Sequence, residues 1–188
     1  SVSSLSAALT VWQNPVFHRD KVLIFGSSGA SAPLVYDGST LSALGRSPPT
    51  AVFATVYGDR TVAGKINSQR QRLFFSAAGN PASWDTTNSY IDIAQPISGL
   101  AALRNAIMVF SGGRTSRLRG FTPPTVAGGT GDFAVDDPLW DVGCSDAHSI
   151  AHWGDQVIFA SGDGIYITDG AGLDDLTLRC GMKDYWRE

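Results

Sequence analysis

The sequence predicts an all-β chain, a propeller-like repeat of about four antiparallel blades that forms an incomplete ring or part of a longer chain. Three observations lead there. A hairpin-like unit recurs four times; glycine, at 21 of 188 residues, is about 11% against a usual ~7%; and Pro or Gly interrupts almost every window in which a helix could grow.

Each unit has an Asp or Asn, an apolar run ending in Phe or a small residue, a turn, and a second short run, often closed by Gly. In the first, Asp20 precedes Val22-Leu23-Ile24-Phe25, the turn Gly26-Ser27-Ser28-Gly29, then Leu34-Val35-Tyr36 and Asp37-Gly38. The second is the most divergent. Asp59 precedes Thr61-Val62-Ala63-Gly64, a polar tip Asn67-Ser68-Gln69-Arg70-Gln71 and the strand Arg72-Leu73-Phe74-Phe75-Ser76. The third runs from Asn105 through Ala106–Phe110, the turn Ser111-Gly112-Gly113 and Thr115–Gly120, without the closing Asp. The fourth has Asp155, Val157-Ile158-Phe159, Ser161-Gly162-Asp163-Gly164, Ile165-Tyr166-Ile167 and Asp169-Gly170.

The anchors Asp20, Asp59, Asn105 and Asp155 lie 39, 46 and 50 residues apart, around the ~40–50 of a four-stranded propeller blade. Gly-containing pairs supply the positive φ of tight hairpins, and β-branched and aromatic residues suit the strands between them. Runs apolar at every position need cover on both faces, as when blade stacks on blade. A β-sandwich shares the short strands, but the repeat favours a propeller. The expected arrangement is one domain over 1–188, with units at 12–46, 51–95, 97–140 and 141–178. The connectors Arg46–Thr50, Gly79–Pro81 and Phe121–Thr125 contain proline and belong at edges or in loops. The best candidate for a helical turn is Pro81-Ala82-Ser83-Trp84. Trp12, Trp84, Trp140 and Trp153 are expected between blades.

Composition excludes several classes. Fourteen basic against 17 acidic residues give a charge of −3, so the chain has no global basic footprint for nucleic acid. Runs such as Ala106–Phe110 fall far short of the ~18 residues of a membrane span. Cys144 and Cys180 are too few for a disulfide framework and are expected as structural free thiols. The start lacks the cationic flank of a signal peptide and an initiator Met, which suggests a piece of something longer.

The run Arg72–Trp84, containing Phe75-Ser76 and Gly79-Asn80-Pro81-Ala82-Ser83-Trp84, is followed by Tyr90-Ile91-Asp92-Ile93 and Ile97-Ser98-Gly99-Leu100-Ala101-Ala102-Leu103. A further pattern extends from Ile150 to Gly170. In this order the motifs resemble the repeat of phage tail propeller proteins, over roughly residues 53 to 170. The resemblance implies a structural virion subunit of a tail, tail tip or nozzle, assembled in the host cytoplasm. It also implies other tail subunits as partners and a homo-oligomeric state. Four units are fewer than closed rings usually have, so a larger parent chain or partner copies are expected to complete the surface.

The chemistry-bearing residues point away from catalysis. No G-x-S-x-G elbow is present. His148 and His152, four apart, would share one face of a strand and could reach a zinc ion with Asp146 or Asp155, but the stricter zinc patterns are missing. Asp132, Asp136, Asp137 and Asp141 do not match a calcium loop and read as a solvated loop. Ser161–Gly164 resembles the Asp-box turn of sialidase propellers, with the Gly one place early and no Trp. We therefore expect a non-enzyme without cofactor or metal.

Seven arginines, Arg60, Arg70, Arg72, Arg104, Arg114, Arg117 and Arg119, crowd positions 60 to 119. Arg70, Arg104, Arg114, Arg117 and Arg119, with Trp186, are the candidate partner-binding residues, toward neighbouring subunits, packaged DNA or a host surface. A propeller that binds host carbohydrate through aromatic loop residues is the alternative function.

Overall fold

In a computed structural model that describes residues 15–26 and 32–186, Tyr185 without its side chain, each repeat folds as an antiparallel sheet paired in chain order. The first sheet holds β1 (Val16–His18), β2 (Lys21–Ile24), β3 (Leu34–Tyr36) and β4 (Leu41–Ala43). The second holds β5 (Phe53–Tyr57), β6 (Arg60–Ile66), β7 (Gln69–Ala77), β8 (Asn80–Trp84) and β9 (Tyr90–Asp92), the last two both pairing with β7. The third holds β10 (Ile97–Ala102), β11 (Ile107–Ser111), β12 (Thr115–Arg119) and β13 (Ala134–Trp140). The fourth holds β14 (Ala151–Trp153), β15 (Gln156–Ser161), β16 (Gly164–Thr168) and β17 (Leu173–Asp175).

The anchor of each repeat sits in the turn between its sheet's first two strands. Gly58 and Asp59 link Tyr57 to its partner Arg60 with φ of 55° and 59°, the left-handed pair that a two-residue hairpin turn demands. Arg19 takes φ 56° in the equivalent turn of the first sheet.

The chain divides into two compact units. One comprises the described residues up to Asp92 together with Thr122–Asp132, and the other Ile93–Phe121 with the chain from Phe133 onward. In the first, Leu23, Phe25, Leu44, Ala51 and Ala63 form the core, with Val16, Val35 and Trp84 packed around them. In the second, Ala101, Leu103, Met108, Phe110, Cys144, Val157, Phe159 and Tyr166 form it. The Phe110 and Phe159 ring centroids lie 4.6 Å apart, within the usual range for packed aromatic pairs. Every residue of β11 is buried, which explains a strand apolar at successive positions.

The two cores use the same repeat positions. Residues four and two before the anchor, and three and five after it, face the following sheet: Val16, His18, Leu23 and Phe25 in the first, Ala101, Leu103, Met108 and Phe110 in the third. The alternate positions of the fourth sheet, Val157 and Phe159, face the third. Backbone approaches are close where the turns meet. A Cβ on Gly143 would overlap the Ser111 carbonyl oxygen and lie 2.5 Å from the Arg114 nitrogen, so no larger residue fits there.

Several expectations are corrected. Pro81–Trp84 belongs to β8, not a helical turn. The residue before a proline is pushed out of the α region, and β8 is an edge strand, where the missing N–H is tolerated. Pro138 lies on the edge strand β13 for the same reason. The last segment forms two single helical turns, α1 (Leu176–Arg179) and α2 (Lys183–Trp186), and Asp175 caps α1 by accepting from the Leu178 N–H at 2.9 Å. Asp136 and Asp137 lie on β13, so the four aspartates are not one solvated loop. Trp84 and Trp140 pack on the cores, whereas Trp153 is 66% exposed. Cys144 is buried and Cys180 exposed. Trp12 and the turn at Ser27–Gly29 lie outside the described residues. Among the described residues no helix is long and apolar enough to cross a membrane.

Candidate functional site

Arg117 and Asp136 face each other across β12 and β13, a register that places opposite charges side by side. The Arg117 Nε donates to Asp136 at 2.9 Å, and another of its nitrogens lies 2.8 Å from the same carboxylate. The guanidinium also donates to the Gly170 carbonyl, in the turn between β16 and β17. Arg119 reaches Asp136 at 3.5 Å. Arg104, in the turn between β10 and β11, stands 3.7 Å from Asp155, in the turn between β14 and β15. These turns lie at one end of the third and fourth sheets and enclose a cleft of about 320 Å³ that Arg104, Arg117, Arg119, Asp155 and Asp169 line.

The structure thus brings three of the five candidate arginines together. Arg114 lies at the opposite end of β12, where its carbonyl accepts from the Ser111 N–H at 2.9 Å. Arg70 is exposed on β7, in the other compact unit, and Trp186 is 37% exposed on α2. The cleft offers little surplus charge. Asp136, Asp155 and Asp169 stand beside its three arginines, so a phosphate would have to displace a partner already in place.

Asp136 is the residue that orders this cleft, because Arg117 is only 18% exposed and draws its pairing there. Replacing Asp136 with Ala is expected to lower stability by about 1–3 kcal/mol. Asp155→Ala, which breaks an exposed pair, is expected to change it by about 0.5 kcal/mol or less. Urea titrations of the two variants check the contrast.

The histidines do not share a strand face. His148 lies in a 3₁₀ turn, Ala147–Ser149, where its backbone N–H and its Nδ1 both meet Asp146 Oδ1, at 2.9 and 2.8 Å. His152 is exposed on β14. No group of three or more His, Cys, Asp or Glu placed to hold a metal occurs among the described residues.

Sequence reading missed the counterpart of the cleft in the first compact unit. Arg19 binds Asp59 through two hydrogen bonds of 3.0 and 2.5 Å, joining the first turn of one sheet to the first turn of the next. Buried His18 accompanies it, its Nδ1 2.8 Å from the Thr61 hydroxyl and its Nε2 3.4 Å from Asp59. The signal was legible: an Arg directly before the anchor in repeats one and three, and an Asp anchor in repeats two and four. Arg19–Asp59 and Arg104–Asp155 are therefore one device used twice.

Other carboxylates serve the turns. Asp37 accepts from the backbone N–H groups of Thr40 and Ser39, Asp169 from Gly172 and Ala171, and Asp85 from the Asn88 side chain and backbone; each is held more acidic than an ordinary aspartate. Asp175 is shifted the same way by the Leu178 N–H and then by Lys183. Because these folded-state pKa values lie below the unfolded value near ~3.9, their stabilisation is complete above that pH and is lost as pH falls through the folded values. Melting temperature is expected to hold steady from about pH 7 to 5 and to drop below about pH 4. A profile flat to pH 2 would contradict this.

Two apolar sheet surfaces stand out beside the cleft. On the first sheet, the face turned away from the second carries Phe17, Val22, Tyr36 and Leu41 in one cross-strand row and Ile24 beside Leu34 in the next. Phe17 is 70% exposed and Tyr36 40%. On the fourth sheet, the face turned away from the third carries Trp153, Ile158 and Ile167. A cleft of about 500 Å³ there is lined by Trp153, Ile167, Leu173 and Leu176 among others.

Four antiparallel sheets of repeated plan define a β-propeller-like protein, and comparison with solved structures agrees. The chain is similar to the N-terminal domain of Nup159, a β-propeller, with 13% identity and a TM-score of 0.53, over 89% of this chain and 44% of that one. It is also similar to the extracellular domain of a hybrid two-component system from B. thetaiotaomicron, with 12% identity and a TM-score of 0.52, over 87% of this chain and 22% of that one. At such identities the likeness concerns the fold. The chain spans less than half the length of these structures. No family model matches the sequence, and no curated protein does.

Proposed function

We propose that this chain is a structural subunit of a phage tail, a propeller-like component of the virion that is assembled in the host cytoplasm and works by contact with other tail subunits and with copies of itself. The observation that carries a structural role is the pair of apolar faces on the first and fourth sheets, where Phe17 and Trp153 remain mostly exposed. Soluble monomers rarely leave such contiguous faces open, and partners cover them in assemblies. Assignment to a tail rests on the motif series from Arg72 to Gly170.

A non-enzymatic role is supported by how the polar residues are employed. Arg117, Arg119, Asp136, Asp146 and His148 hold one another or the turns around them. The same balance of charge in the cleft disfavours packaged DNA as its ligand. Imaging of particles that carry a labelled copy of the chain tests the reading. Label at the tail is expected, and particles whose tails lack it would overturn the proposal.

A further inference from the structure

We infer that the uncovered face of the fourth sheet docks on the uncovered face of the first sheet of a second copy, head to tail, in the geometry by which successive sheets already pack within each compact unit. This deepens the proposal of a self-assembling subunit and rests on it.

In the first and third sheets, the residues two before and three after the anchor turn toward the next sheet and are buried: His18 and Leu23, Leu103 and Met108. The fourth sheet places Trp153 and Ile158 at those positions, yet Trp153 is 66% exposed and Ile158 half-buried. Ile167, beside Ile158 on the same face, is buried, so the open part of this face is the strip formed by Trp153 and Ile158. The reverse holds for the first sheet. Val22 and Ile24 occupy the positions that in the fourth sheet are Val157 and Phe159, both fully buried against the third sheet. In the first sheet they are only half-buried, beside exposed Phe17.

One chain therefore carries both halves of a single type of contact, one on its first sheet and one on its last. A second copy satisfies both, because each copy offers the half that the other lacks. Because the two halves differ, the contact is heterologous, and it generates a ring where the rotation closes. Apolar faces met in this way bury aromatic side chains, which dominate the energy of such interfaces.

Sedimentation of the chain across concentration tests this. Self-association is expected in the micromolar range, and a chain that stays monomeric at about 100 μM would overturn the inference. Trp153→Glu and Phe17→Asp, at sites already exposed, should each weaken association at least about tenfold while leaving the far-ultraviolet circular dichroism unchanged. Tyr36→Lys is a second variant of the first-sheet face, should Phe17→Asp fail to fold. Mixing the two face variants is diagnostic. Trp153→Glu keeps an intact first sheet and Phe17→Asp an intact fourth, so the mixture should associate one to one where neither does alone. Folded variants that fail to complement would refute the head-to-tail contact. A monomeric chain found on tails would sink this inference alone, and a self-associating chain absent from tails would sink only the tail assignment.

Discussion

Phe159→Ala is expected to cost about 3–5 kcal/mol of stability, enough to remove a large share of the margin of an ordinary domain. Phe159 is fully buried, packs 4.6 Å from Phe110 and 5.8 Å from Tyr166 between ring centroids, and belongs to the cluster formed by Met108, Cys144 and Val157. Its removal leaves a cavity that two sheets of fixed register cannot close by sliding. Urea unfolding monitored by near-ultraviolet circular dichroism checks the loss. A change below about 1 kcal/mol would mean that the third and fourth sheets do not pack as described.

Leu23→Ala and Ile158→Ala form the second test, because they truncate the same repeat position in two sheets. Leu23 is fully buried among Phe25, Leu44 and Ala63, and its loss is expected to cost about 2–5 kcal/mol. Ile158 is only half-buried on the uncovered face, so in the monomeric chain its truncation is expected to cost about 1 kcal/mol. Equal costs measured in dilute solution would show that the repeat position, not the neighbouring sheet, sets the energy. The difference should narrow at concentrations where the chain associates, since association would bury Ile158 as Leu23 is buried.

Much of the fold can be read from local chemistry. Gly58-Asp59 and Gly154-Asp155 mark first-turn hairpins because positive φ is cheap only for a few residue types, and Ile107–Phe110 reads as a strand covered on both faces because no position is polar. The failures share a cause. Pro81–Trp84 has residues that suit a helix start, but the end of the neighbouring strand β7, at Ser76 and Ala77, pairs with Trp84 and Asn80, and an edge position suits Pro81. His148 and His152 are spaced for one strand face, yet Asp146 captures His148 in a 3₁₀ turn before β14 begins.

The candidate site was legible in parts. Crowding of arginines is a property of the sequence, but which of them meet depends on strand direction. Arg117 and Arg119 lie at the end of β12 that faces the turn holding Arg104, whereas Arg114, only three residues from Arg117, lies at the other end. Pairing with Asp136 is a matter of register across β12 and β13, and no local pattern encodes it.

By itself, the sequence determined the four-fold repeat, the strand and turn chemistry of each sheet, and the positions that alternate between two faces. Tertiary structure alone decided which of those faces is covered. Leu23, Met108 and Ile158 are interchangeable by pattern, and only the presence of a following sheet buries the first two and leaves the third half-open. Burial is a relation between segments distant in the chain, so it enters only when the sheets stack.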